Sequence, residues 1–261
     1  MSLILAAHGT RRPSGVAMVG DLAAHVGALL GGTVQVVFVD VLGPTPSEVL
    51  ARLAQPAHDE RSVQPAIVVP AFLSRGYHVR ADLPAHIVAS GHPNVTVTPA
   101  LGPSWELARI LKRQLIEFGC RPDDSVILAA AGTSDRRALG DLRSAATSLS
   151  MLTGARVELG FAATGSPDVR TAVASARRRG ARRVVVASYL LADGLFQQRL
   201  HDSGADLITP PLGTHPGLAR LIANRFRNAM PHRFASHPMQ HVPNFVGRKG
   251  SVLSHTNTAG A

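Results

Sequence analysis

The chain has 261 residues, 45% of them apolar and 17% charged, with 24 glycines and 18 prolines, a composition of one or two globular domains that excludes collagen, solenoids and coiled coils. Its single cysteine, Cys120, excludes an intramolecular disulfide and any cysteine-built zinc or iron–sulfur site within one chain, and it points to a reducing cytoplasm. The net charge of +10 rests almost wholly on arginine, because Lys112 and Lys249 are the only lysines, and arginine forks suit carboxylate or phosphate partners.

The opening segment Met1 to Ala7 is apolar, but it lacks a basic flank and the length of a signal core, and no run approaches the roughly 20 apolar residues of a membrane span. Neither export nor membrane insertion is expected. Leu3 to Ala7, Val34 to Val39, Ala66 to Val69 and Val95 to Val97 are short apolar runs flanked by Gly or Pro, as buried parallel strands are. Helices are predicted between them. Val16, Val19, Leu22, Val26 and Leu30 recur at helical spacing, Ser47 to Leu53 follows Pro44-Thr45-Pro46, Asp82 to Val88 follows a turn containing Gly76, and Ser104 caps a helix carrying Leu107, Leu111 and Leu115.

After the polar stretch Arg121 to Asp124 the pattern starts again. Leu3 to Thr10 aligns with Val126 to Thr133, Val68 to Leu73 with Val185 to Leu190, and Thr98 to Gly102 with Thr209 to Gly213, in the same order. The second copy places strands near Val126 to Ala130, Arg156 to Phe161, Arg182 to Ser188 and Asp206 to Ile208. Strand and helix alternating in this way predict a parallel α/β sheet in each copy. The expected organisation is one repeat over residues 1–120, a degenerate second over 121–230, and a Pro-, Ser- and His-rich tail over 231–261 read as disordered.

In open parallel sheets ligands bind beyond the carboxyl ends of the strands. There the first repeat carries His8, Gly9, Thr10, Arg11 and Arg12, then Asp40, then Ser74, Arg75, Gly76, Tyr77 and His78. Two imidazoles and a carboxylate on one rim are a ligand set for a borderline divalent metal such as iron or cobalt, and either histidine can accept a proton near neutral pH. Each residue also has a plain structural reading, as a strand-end histidine bonded to backbone or an ordinary loop side chain. The repeat decides between these: His8 aligns with Ala131, His78 with Phe196, and Asp40 has no acidic counterpart near Phe161 and Ala162. Side chains needed only for folding would survive in the duplicate.

Other chemistries fit poorly. Gly9-Thr10-Arg11-Arg12 has neither the Walker nor the dinucleotide spacing, Ala7 stands where a phosphohistidine enzyme has Arg, and 4% aromatic residues leave few platforms for nucleic acid.

His8-Gly9-Thr10-Arg11 after a strand, Val39-Asp40 before Gly43-Pro44-Thr45, and Phe72-Leu73-Ser74-Arg75-Gly76-Tyr77-His78 with Asp82-Leu83-Pro84 behind it resemble the sirohydrochlorin chelatase family of the CbiX/SirB type, in its two-repeat form. The resemblance implies two tandem flavodoxin-like domains with helices on both sheet faces and the substrate between them. It implies insertion of Fe²⁺ or Co²⁺ into sirohydrochlorin, in sirohaem or cobalamin biosynthesis, with no cofactor beyond the substrate metal. His8 is then ligand and proton acceptor, His78 the second ligand, and Phe72 through Tyr77 the segment against the macrocycle. Gly9, Thr10, Arg11 and Arg12 are the neighbouring substrate contacts, and Arg11, Arg12, Arg75 and Arg80 the cations for its carboxylates. The chain departs from the pattern at Asp40, where many members carry Glu, and at Gly43, where many carry an acid. With both repeats in one chain, a monomer is expected. The alternatives are a non-catalytic tetrapyrrole or metal carrier on the same fold and, less compatibly with the motifs, an arginine-rich nucleic-acid binder.

Overall fold

The computed structural model describes residues 1–55 and 63–231, so His58 and the tail lie outside the described residues. The first repeat runs β1 (Ser2–Ala7), α1 (Pro13–Leu30), β2 (Val34–Phe38), α2 (Pro46–Leu53), β3 (Ala66–Pro70), a π-helical turn (His78–Asp82), α3 (Leu83–Ser90), β4 (Val95–Val97) and α4 (Trp105–Glu117). The second runs β5 (Ser125–Gly132), α5 (Arg136–Thr153), β6 (Val157–Thr164), α6 (Val169–Arg178), β7 (Val184–Tyr189), α7 (Leu195–His201), β8 (Leu207–Ile208) and α8 (Pro216–Ala229). Both sheets are parallel, ordered β2-β1-β3-β4 and β6-β5-β7-β8. The α/β class read from the sequence is the fold observed.

Strand alternation explains the layering. Leu5 and Ala7 point into a central core, while Ile4 and Ala6 point the other way, against Val49, Leu50 and Leu83 of α2 and α3. In the second sheet Val126, Leu128 and Ala130 face the central core, and Ile127 and Ala129 pack against Val169, Val173 and Leu200.

The two repeats share one compact unit, Met1–Met230. The physical reason is an exchange of helices: α4 packs on α5 of the other repeat, and α8 on α1. The apolar stripe of α4 (Leu107, Leu111, Leu115) and that of α8 (Leu218, Ile222, Phe226) close one cluster with both sheets. Each such buried side chain contributes about 1.5–3 kcal/mol, which neither repeat could realise alone. The exchange also satisfies helix ends: Lys112 donates to the Leu152 carbonyl at 2.8 Å, and Arg227 to the Leu29 carbonyl at 2.6 Å.

By length and composition α1 is long and apolar enough to cross a membrane, a possibility the sequence reading had dismissed. Val19, Leu22, Ala23 and Val26 instead form its buried stripe in the central core.

Candidate metal centre

Three strands of the first sheet deliver the site. β1 ends at Ala7 and projects His8, β2 ends at Phe38 with Asp40 two residues on, and the loop after β3 runs from Ala71 to His78. The ladder continues past the strand ends, with Val39 N–H donating to Ala7 and Asp40 N–H to the His8 carbonyl at 3.2 Å. This fixes Asp40 beside His8. Gly9 makes the approach possible: its φ is +99°, and a Cβ there would collide with the Asp40 carbonyl oxygen.

One ligand atom each from His8, Asp40 and His78 lie within 4.8 Å of one another. The sequence named these residues as one set, and the structure brings them together. His8 Nε2 faces Asp40 Oδ2 at 4.0 Å. The other Asp40 oxygen accepts the Val41 N–H at 2.7 Å, with Val41 in the left-handed region at φ 72°. A residue with that backbone is strained, and the aspartate bond helps hold it.

Both imidazoles present the same nitrogen to the site. His8 Nδ1 lies 3.2 Å from the Gly9 carbonyl, and His78 Nδ1 lies 2.6 Å from Asp82 Oδ2. Those partners only accept, so each Nδ1 carries a proton, and in the neutral imidazole the lone pair is then on Nε2. The predicted helix from Asp82 begins earlier, as the π turn from His78. In an i→i+5 turn residues four apart nearly superimpose, which stacks Asp82 on His78. The two histidine rings meet edge to face with centroids 4.4 Å apart, and the Phe72 ring lies 6.2 Å from His78 in a stacked arrangement.

The remaining predicted contacts fall around this centre. Thr10 accepts the Arg12 N–H, Arg11 is exposed and pairs with no described residue, and Tyr77 is exposed with its ring 6.3 Å from His78. Leu73 and Ser74 are half-buried, and the Gly76 carbonyl accepts from Val79 and Arg80. Several of the arginines proved to be engaged within the protein. Arg75 binds Asp141, Arg80 binds Asp135, and Arg12 bonds Gln198, all in the second repeat. Asp135, Asp141 and Tyr189 are not singled out from the sequence, and Asp82 stands there only as part of the motif behind His78, without a role, although its i+4 spacing from His78 is a local signal.

Strand register identifies the equivalent rim of the second repeat. Ala7 pairs with Phe38 as Ala130 pairs with Phe161, the register then shifts, and Gly132 faces Thr164 as Gly9 faces Asp40, so the place of Asp40 falls at Ala163 and Thr164, neither of them acidic. Ala6 pairs with Pro70 as Ala129 pairs with Ser188, so His78 corresponds to Phe196 and Asp82 to Leu200. The second rim is thus Ala131, Ala163 with Thr164, and Phe196, without a histidine, cysteine or carboxylate among them.

The CbiX family model matches residues 2–118 and again 125–229, the same two repeats. The chain belongs to the CbiX family. Its CbiX fold matches SirB from Bacillus subtilis with Fe³⁺ at a TM-score of 0.72 and 17% identity, over 90% of this chain and 97% of that one. In sequence it is 26% identical over 179 residues to a sirohydrochlorin ferrochelatase of Priestia megaterium, covering 62% of this chain and 67% of the relative. It is likewise 26% identical over 185 residues to a sirohydrochlorin cobaltochelatase of the same organism, covering 63% of this chain and 60% of that relative.

Proposed function

We propose that the protein is a sirohydrochlorin chelatase that inserts Fe²⁺ or Co²⁺ into the macrocycle with release of both pyrrole protons. The observation that carries the reading is the rim of His8, Asp40 and His78, with each Nδ1 held by an oxygen acceptor, in a chain of the CbiX family.

The chemistry asks for a ligand set that strips water from the ion and then lets it go. Two neutral imidazoles and one carboxylate on an accessible rim suit that, being fewer ligands than a closed structural site uses. As the macrocycle nitrogens take the metal, His8 Nε2 accepts the two pyrrole protons in turn and passes each to solvent, to which it is open. Asp82 holds the Nδ1 proton of His78 and so keeps its lone pair aimed outward.

The macrocycle rests on the segment Phe72, Leu73, Ser74, Arg75, Gly76 and Tyr77, with the exposed Tyr77 ring as its broadest apolar surface. Its carboxylates meet Arg11 first, the guanidinium with no partner among the described residues, and then Arg12. Gly9 and Thr10 shape the floor beside His8. No cofactor beyond the substrate metal is needed for this step. Because each repeat supplies one side of a single shared core, the acting unit is one chain, and the lone Cys120 suits the reducing cytoplasm.

The test is anaerobic absorbance of sirohydrochlorin with Fe²⁺ or Co²⁺ and the full chain, wild type beside His8→Ala. Insertion well above the protein-free rate and lost in the variant supports the chelatase. Pigment binding without acceleration of metal entry overturns it.

A further inference from the structure

The second repeat has no ligand set of its own, yet it grips the loop that carries His78. Three of its side chains act between Leu73 and Arg80. Tyr189, buried at the end of β7, donates its hydroxyl to the Leu73 carbonyl at 2.8 Å. Asp141 of α5 accepts the Arg75 backbone N–H at 2.7 Å and the Arg75 guanidinium at 3.0 and 2.5 Å. Asp135, at the start of α5, takes the Arg80 guanidinium. The chain is cleared for this arrangement at Gly102, where a Cβ would run into the Leu73 carbonyl and lie 2.6 Å from the Tyr189 hydroxyl.

Asp141 is the costly member. It is 4% exposed, and taking a carboxylate out of water is unfavourable unless several donors replace the solvent. Burial pushes its pKa up, but the bonds from Arg75 outweigh burial and hold it below the usual carboxylate value. The equivalent loop of the second repeat offers a control. It touches the start of α1 through Ser14 on Asp193 and Arg12 on Gln198, exposed groups without a buried charge, and it leads to Phe196 rather than to a ligand. Holding two repeats together therefore does not require a buried carboxylate; the loop that has one is the loop that ends in His78.

We propose that Asp141 is a positioning residue for metal capture: anchored in the second repeat, it fixes Arg75 and thereby sets His78 Nε2 opposite His8 and Asp40. The inference rests on the reading of His78 as a metal ligand. It gives the degenerate repeat a role in the reaction without touching metal or macrocycle.

The experiment is calorimetric titration of the full-length protein with Co²⁺ alone, for wild type, His78→Ala, Asp141→Ala, Asp141→Asn and the His78→Ala/Asp141→Ala double variant, each with a thermal melt. Asp141→Ala and His78→Ala are each expected to weaken Co²⁺ binding about tenfold, and the double variant to be no weaker than His78→Ala alone. Asp141→Asn keeps the shape and one acceptor but not the charge; it is expected to weaken binding at least about threefold and serves if the alanine variant does not fold. Affinity within about twofold of wild type in both Asp141 variants, or losses that multiply in the double variant, overturns the positioning role while leaving the metal site intact. Unchanged affinity in His78→Ala overturns the metal-site reading itself, and the positioning role with it.

Discussion

The two repeats follow the same path of strand and helix but differ in what stands at the strand ends, and the difference separates folding from chemistry. Gly9 and Gly132 occupy the same position, both at positive φ, and a Cβ on either would collide with the neighbouring strand's backbone, at Asp40 and at Thr164. That residue is required by the backbone and stands in both copies. His8 and Ala131, Asp40 and Ala163 with Thr164, and His78 and Phe196 also share positions, but no packing demand dictates them, and there the copies diverge. Asp82 and Leu200 sharpen the point: Asp82 is half-buried and bonded to His78, whereas Leu200 is fully buried under the second sheet.

The largest expected effect lies at the first rim. His8→Ala or His78→Ala should lower the rate of metal insertion by at least about a hundredfold in the absorbance assay, since each removes a ligand and, for His8, the proton acceptor. Phe196→Ala, at the matching place, should leave Co²⁺ affinity within about twofold by calorimetry. A comparable loss in Phe196→Ala would dissolve the distinction between the rims.

The next contrast exchanges stability for affinity at one shared position. Leu200→Ala should cost about 2–5 kcal/mol in urea denaturation, as a large-to-small change in a packed core. Asp82→Ala should cost less than about 1 kcal/mol there, yet weaken Co²⁺ binding about tenfold by freeing the His78 ring.

A smaller effect concerns the backbone both copies share. Gly9→Ala and Gly132→Ala should each destabilise by about 1–3 kcal/mol in thermal melts, because φ near +100° and the facing carbonyl both oppose a Cβ. If only one is destabilising, the equivalence of the two strand ends is wrong.

The smallest is a pH dependence peculiar to the grip on the His78 loop. The folded pKa of Asp141 is depressed, so its stabilisation is present above the unfolded value near 3.8 and is lost as pH falls through the folded value. Wild type should therefore be more stable than Asp141→Asn at pH 7, with the gap closing below about pH 4 in parallel denaturations. A gap constant with pH would mean that Arg75 is not bound to an ionised Asp141.

Much of the first rim was legible in the sequence because its residues follow strand ends within a few positions, where local periodicity reports placement. His8 and Asp40 follow from the ends of β1 and β2 alone. The i+4 spacing of His78 and Asp82 was visible too, but not the π turn that superimposes them, since the sequence signals an ordinary helix after a glycine turn. The partners of the arginines were not legible: the sequence places Arg75 and Arg80 beside the rim, but Asp141 and Asp135, which bind them, lie 66 and 55 positions away.

By itself, then, the amino-acid order determined what local rules govern: strand and helix alternation, the duplication, the glycines of the strand ends and the clustering of His8, Asp40 and His78 on one rim. Tertiary structure alone decided what depends on contacts between distant segments. α4 and α8 cross to the opposite repeat, each laying its apolar stripe into the shared core beside the other copy's first helix. That exchange brings Asp141 and Tyr189 onto the His78 loop, and no periodicity within either repeat encodes a carboxylate placed to serve the other.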